Sequence, residues 1–255
     1  MKSIVYVELP KAGLGNKLIV WSRGYVFAQK NNLNLYRSSW IYFNPGPFLR
    51  KERKKRLYFL YMKKISLSSI LLSIIIPLLP KNRIIKNPIQ IQNDFKFYIY
   101  QFTWQDNIYD FFNDNIANRE LIKNGIMSLL KMNTKDKIPN LKHPLIGVHI
   151  RRGDYNLHSG KTEDNYFIKL INDLRTSANE NIQVTIFTDG TEEEMEPFLN
   201  LGNINIAEEK EDILDIFELS NSKICILSFY SSFSFWGGFL CTNQVISHPK
   251  DNLNF

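Results

Sequence analysis

Only two of the 255 residues are cysteine, Cys225 and Cys241. Two cysteines do not make a disulfide framework, and neither has the CxxC or Cys/His spacing of a zinc site. Cys225 lies inside the apolar "KICIL", which predicts a buried free thiol in a reducing compartment. Long apolar runs are scarce as well. The stretch "ISLSSILLSIIIPLLP" (65–80) is sixteen residues long and carries serines and two prolines. It falls short of the about 20 residues that span a bilayer and reads as a core or interfacial helix. The beginning, "MKSIVYVELP", is too short in apolar residues and is interrupted by Glu8, so no signal peptide is expected. There is no internal repeat, no low-complexity tract, no P-loop lysine and no third glycine of a dinucleotide fingerprint.

Acidic residues are scarce in one half of the chain only. Residues 1–140 hold 23 Lys+Arg against 8 Asp+Glu, whereas residues 141–255 hold 9 against 17. The window "RKERKKRLYFLYMKK" (50–64) has eight cations and one acid. Such a window is a solvated face, a docking site for anionic lipid or a nucleic-acid patch. Aromatic residues among the cations and the apolar run that follows favour lipid over nucleic acid. No helix-turn-helix, zinc-finger or RNP motif accompanies the charge.

The rest of the sequence alternates. "LIGVHI" (145–150), "QVTIFT" (183–188), "INI" (204–206), "ICIL" (224–227) and "QVIS" (244–247) are short β-branched runs. Helical periods lie between them. In residues 163–177, Tyr166, Phe167, Leu170, Ile171 and Leu174 share one face. Residues 191–200 open with Thr191 and acids, as a helix N-terminus prefers. Residues 211–220 align Ile213, Ile216, Phe217 and Ser220. This alternation predicts a parallel sheet with crossover helices, which binds ligands at the carboxyl ends of its strands. The N-terminus repeats the pattern, with strand "SIVYVE", turn "LPKAGLGN", a helix from Asn16 onward and strand "LNLY". The expected architecture is two α/β domains, 1–140 and 141–255, meeting across a cleft, with the polar 133–144 as linker. Residues 40–100, interrupted by five prolines, have no legible role.

Four candidate sites follow strands. "GVHIRRGDY" (147–155) ends a strand with His149, Arg151, Arg152 and Asp154. Paired guanidiniums there suit a phosphate or diphosphate, because each forks two donors onto one anion. The alternative is a surface pair bridged to Asp154 or to the acidic helix beyond. Gly153 permits close backbone approach. "GLGN" places Gly13, Gly15 and Asn16 at a helix start, where amides accept anions or the turn is merely tight. "SFYSSFSFWGGFL" (228–240) gathers Ser228, Ser231, Ser232 and Ser234 with Phe233, as phosphate donors or as helix caps within a core. "FTDG" (187–190) offers Asp189 as an acceptor or as an Asx-turn.

With these residues in view, the chain resembles the family 11 glycosyltransferases, the α-1,2-fucosyltransferases. The family's GGLGNQ is similar to "AGLGNK" (12–17), its HxRRxD to "HIRRGD" (149–154), its Ser-Asp-Asp-like strand end to "FTDG", and its NSSFSWWG block to "YSSFSFWGG". Departures fall at Ala12, Lys17, Gly190 and Phe235. The resemblance implies a GT-B-like fold, two Rossmann-type parallel-sheet domains, and inverting transfer of fucose from GDP-fucose to a galactoside hydroxyl of a surface glycan such as O-antigen or capsule. No metal and no cofactor beyond the donor are implied. By carry-over, Arg151 and Arg152 hold the diphosphate, Ser231 and Ser232 contact phosphate, Asp189 meets the guanosine, and Asn16 enters from the other domain. Gly13, Gly15, His149 and Phe233 complete the donor site, and Asp154 lies beside the arginines.

Physical logic agrees with that assignment. Many sugar transferases stabilise the departing phosphate with a divalent ion on a DxD motif, and no DxD occurs in this sequence. Two preorganised arginines can carry that charge instead. For the general base, Asp154, Glu163 and His149 are candidates by proximity, with His149 also suited to a structural hydrogen bond. The partners expected are GDP-fucose, a glycan acceptor that is lipid-linked or free, and anionic membrane, with no nucleic acid. The expected location is cytoplasmic, touching the inner membrane face. The rivals are a transferase of another nucleotide-activated group and a polyanion- or membrane-binding module without catalysis.

Overall fold

A computed structural model describes residues 3–41, 45–49, 52, 56–92, 94–103, 107–153 and 161–255. The chain forms two compact units, Met1–Phe43 with Leu57–Lys135, and Asn44–Arg56 with Asp136–Phe255.

The first unit is built on β1 (Ile4–Val7), α1 (Leu14–Lys30) and β2 (Asn34–Arg37). After a short α2 (Gly46–Leu49), which belongs to the second unit, come α3 (Leu67–Ile75), β3 (Ile84–Lys86), β4 (Phe97–Tyr100), α4 (Ile108–Asp114), α5 (Arg119–Leu129) and α6 (Met132–Lys135). The four strands are parallel in the order β2-β1-β4-β3, with Ile4 opposite both Asn34 and Phe97. Side chains of a strand alternate between faces, and the two faces are covered by different helices. Tyr98 and Tyr100 meet Phe27 of α1, while Tyr6, Phe97 and Ile99 pack with Ile76 and Leu72 beyond and within α3. The proline-rich stretch 40–100 thus supplies α3, which lies within the 65–80 run expected to be helical, and two strands of this sheet that periodicity alone did not reveal.

Within α1, Lys17 is 1% exposed and its ammonium donates to the Pro10 carbonyl at 2.5 Å. Burial pushes its pKa down from 10.5 to about 8. Between these two values the unfolded chain binds the proton that the folded chain has released, so this group makes stability rise with pH across that window. Lys17→Met is therefore expected to be the more stable form near neutrality. Its advantage should shrink by about 2 kcal/mol from about pH 7.5 to about pH 10, measured by urea unfolding. A constant difference would show that Lys17 is not the titrating group.

The second unit contains β5 (Ile146–Ile150), α7 (Asp164–Ala178), β6 (Val184–Thr188), α8 (Glu192–Leu199), β7 (Ile204–Ile206), α9 (Asp212–Ser220), β8 (Ile224–Ile226), α10 (Ser232–Leu240) and β9 (Gln244–Ile246). Its five strands are parallel in the order β7-β6-β5-β8-β9. All residues of β5 and β6 are buried, as expected for strands covered by helices on both faces. The helix starts follow their sequence signals: Thr191 and Glu194 form a reciprocal capping box, and Ser231 caps α10. Cys225 and Cys241 are buried free thiols.

Two local expectations change. Residues 133–144 are not plain linker but hold α6 and a 3-10 turn at Ile138–Asn140. Helix α9 is buried all round rather than along the one stripe of Ile213, Ile216, Phe217 and Ser220, because α10 packs against Leu219 outside that stripe. Its buried Asp215 and Glu218 are compensated by Lys210, whose ammonium lies 2.8 Å from Glu218 and 3.7 Å from Asp215.

Candidate functional site

In the second sheet the chain leaves β5 in one direction to build β6 and β7, then returns to the other side of β5 to build β8 and β9. The order reverses between β5 and β8, and at such a point the loops after the two strands diverge and leave a crevice at their carboxyl ends. The loop after β5 is Arg151-Arg152-Gly153. The loop after β8 runs to Ser231 and Ser232 at the start of α10. Asp189 and Gly190 follow the neighbouring β6. The sequence motifs of this half therefore converge on one edge of one sheet.

Hydrogen bonds knit the three loops together. Ser228 Oγ donates to the His149 carbonyl at 2.7 Å and accepts from the Arg151 amide at 2.9 Å. The Ser228 amide donates to Ser234 Oγ at 2.8 Å. Asp189 is buried, and its carboxylate takes the Arg152 amide at 2.8 Å on one oxygen and the Arg151 guanidinium on the other. Gly153 adopts φ +51°, and a Cβ there would lie 2.7 Å from the Asp189 carboxylate and 2.9 Å from that of Glu52. Only glycine lets the loop turn this close to both.

The two arginines occupy different environments. Arg151 keeps 17% of its side chain exposed and is held by Asp189. Arg152 is wholly buried. Its guanidinium is paired with Asp164 at the start of α7, donates to the Arg151 carbonyl at 3.0 Å and to the Thr162 carbonyl at 3.5 Å, and lies 6.0 Å from the Phe198 ring centroid. Burial lowers its pKa, opposed by Asp164, Glu194, Asp189 and Glu163, and a guanidinium in such company stays charged. A shared grip on one anion was the expectation for this pair; in the structure Arg151 has the partly open position and Arg152 is turned to protein groups. The resemblance assigns Asp189 to the guanosine; in the structure its two oxygens take the Arg152 amide and the Arg151 guanidinium.

His149 is buried, and its ring stacks on Phe233 with centroids 4.9 Å apart. Burial, with Arg151 and Arg152 beside it and Asp189 opposing, takes its pKa down to about 3. It is neutral at physiological pH and a weak proton acceptor. Its Nδ1 has no hydrogen-bond partner among the described residues. Glu163 stands exposed just before α7, and Asp154 lies outside the described residues. Ser231 is buried as the cap of α10, accepting the Ser234 amide at 3.4 Å, while Ser232 and Phe233 in the first turn are half-buried. The first amides of a helix point out of it and favour an anion. Gly237 lets α10 approach α9, since a Cβ there would meet Leu219 at 2.4 Å.

Glu52 was missed by sequence reading. It is 2% exposed, bound to Arg56 at 2.9 Å, and its carboxylate borders Gly153. The available signal is its isolation as the one acid among eight cations of the 50–64 window. In the first unit, Gly13 caps α1 without a side-chain hydrogen bond, Gly15 is buried and Asn16 is half-buried in the first turn. Gly13 has open space where a Cβ would stand. Among the described residues, no three His, Cys, Asp or Glu side chains come together as metal ligands.

Comparison with known proteins places this edge in context. The model of glycosyl transferase family 11 matches residues 83–254. No curated protein matches in sequence. Among solved structures, the chain is similar to the NodZ α-1,6-fucosyltransferase soaked with GDP-fucose, at 13% identity and a TM-score of 0.56, covering all of this chain and 98% of that one. Fucosyltransferase NodZ from Bradyrhizobium aligns at 11% identity and TM-score 0.54, over 94% of both chains. POFUT1 in complex with GDP aligns at 10% identity and TM-score 0.52, over 96% of this chain and 98% of that one. At such identities the likeness establishes the fold, two parallel-sheet α/β units of the GT-B class.

Proposed function

The chain belongs to glycosyl transferase family 11, and from that premise we propose that it moves fucose from GDP-fucose to a galactoside hydroxyl, in α-1,2 linkage with inversion, on a surface glycan such as O-antigen or capsule. The observation that carries this reading is Arg151. It is a partly open guanidinium at the strand-order reversal of the second sheet, oriented by Asp189, and its own amide is held by Ser228 in the loop that leads to α10. The solved relatives named for GDP-fucose or GDP support the choice of donor.

Breaking the sugar–phosphate bond leaves charge on the β-phosphate while the sugar becomes oxocarbenium-like. Arg151 would meet that charge with two donors fixed in advance, and the first turn of α10 with Ser232 would add dipole and hydroxyl. Arg152, His149, Ser228 and Asp189 would act as positioning groups, holding Arg151 so that little reorganisation is needed when charge develops. A guanidinium in this role takes the place of a divalent ion. Incubation of the purified protein with GDP-fucose and β-galactoside acceptors, with products read by mass and linkage, tests the reading. Transfer that persists in chelator is expected. Turnover that vanishes in chelator and returns with manganese, or donor use confined to another GDP-sugar, would overturn it.

A further inference from the structure

We propose that the outer face of α3 is a docking surface for an anionic lipid bilayer. The helix is anchored by its inner stripe: Ser69 is buried, and Leu72 and Ile76 pack onto Tyr6, Phe97 and Ile99 of the first sheet. Its start is fixed as well. Ser66 caps it, accepting the Ser69 amide at 3.2 Å, and the buried Arg37 donates to the Lys63 carbonyl at 2.6 Å. The opposite stripe carries Leu67, Ile70, Leu71 and Ile74, spaced i, i+3, i+4, i+7, and Leu78 follows. These are 85%, 42%, 57%, 62% and 80% exposed. A rigidly held helix that turns five large aliphatic residues outward carries an apolar surface of the kind that marks an interaction site.

Charge identifies the occupant. Residues 57–101 contain six cations, Lys63, Lys64, Lys81, Arg83, Lys86 and Lys96, and one acid, Asp94. Lys63 and Lys64 stand exposed immediately before the helix, and Lys81 and Arg83 stand exposed immediately after the apolar run. Cations at both ends of an apolar stripe match a lipid surface, with headgroup phosphates at the ends and acyl chains against the middle. No helix among the described residues is long and apolar enough to cross a membrane, so contact through α3 would be peripheral. The neighbouring cations at 50, 51 and 53–55 lie outside the described residues.

Co-sedimentation of the full chain with phosphatidylglycerol/phosphatidylcholine vesicles tests this. Binding is expected to the mixed vesicles and not to pure phosphatidylcholine. It should weaken by about tenfold or more when salt rises from about 0.1 M to about 0.5 M. Leu71→Glu with Ile74→Glu should abolish it, and Lys63→Glu with Lys64→Glu should weaken it by roughly tenfold, with thermal melting and GDP affinity unchanged in both. The second pair serves should the first melt early. No binding to anionic vesicles, equal binding to neutral ones, or self-association broken by Leu71→Glu with Ile74→Glu in place of vesicle binding would each overturn the proposal. The inference does not rest on the transfer reaction. A protein that sediments with vesicles but moves no sugar keeps this surface and loses the assigned chemistry.

Discussion

Arg151→Lys is expected to lower transfer from GDP-fucose by about 10²–10³-fold, the effect of removing one preorganised donor aimed at a developing charge. Lysine keeps the positive charge, and the 17% exposed side chain leaves room for an ammonium beside Asp189. What disappears is geometry. One point charge replaces two parallel N–H donors, so donor and leaving phosphate are no longer held in one orientation. The fall should therefore lie mainly in kcat, with GDP affinity reduced less and the melting temperature close to that of the parent. A protein that only gripped polyanions would keep most of its function with lysine here. Retention of more than about a third of turnover would remove the guanidinium from the reaction, since the predicted loss is at least about a hundredfold.

Replacing its neighbour should have a different consequence. Arg152→Met is expected to destabilise the second unit by about 3 kcal/mol, measured by urea unfolding of the full chain. The guanidinium has no exposure, and its removal leaves the Arg151 and Thr162 carbonyls without their donor. Asp164 loses its partner too, but 32% of its side chain is exposed and water can take over part of the lost pairing. That places the cost at the lower end of the about 3–5 kcal/mol seen when one member of a buried pair is removed. Arg152→Met with Asp164→Asn should recover part of the loss, because no unpaired carboxylate then remains. Activity per folded molecule should fall as well, since the Arg152 guanidinium donates to the Arg151 carbonyl and its loss loosens the loop that positions Arg151. A variant as stable as the parent, yet inactive, would instead make Arg152 a direct phosphate ligand.

The contrast between these neighbours shows how far the sequence could be read. That a strand ends at residue 150 and that the charged loop after it lies at the carboxyl edge of the sheet were legible, because β-branched runs at regular spacing impose parallel strands and such sheets open at their carboxyl edges. The convergence of residues 151, 189 and 231 on that edge follows from the same alternation. Which guanidinium stays open was not legible. Adjacent residues at a strand end leave in different directions, and the outcome depends on Asp164 and Asp189, distant in sequence but adjacent in space. His149 shows the same division. Its place at the end of β5 could be read, but its depressed pKa comes from burial beneath Phe233 and from two cations whose positions are tertiary.

The role of residues 40–100 was opaque for a related reason, although the helix within 65–80 was legible. Periodicity reports one buried face per element, and α3 is apolar on both its inner and outer stripes. Pattern alone cannot say which stripe meets the sheet. Glu52 was hidden because local charge composition predicts exposure, whereas its burial beside Gly153 is decided by where the chain from 44 to 56 packs.

By itself, then, the sequence determined the five strands of the second sheet, the first two of the other, the caps at Thr191 and Ser231 and the strand-end location of the charged motif, since these depend on spacings within a few tens of residues. Tertiary structure decided which arginine faces outward, which acid lies beneath the loop and which side of α3 is left without protein cover. Burial and pairing of charges are set by neighbours brought together from distant parts of the chain, and no local pattern encodes them.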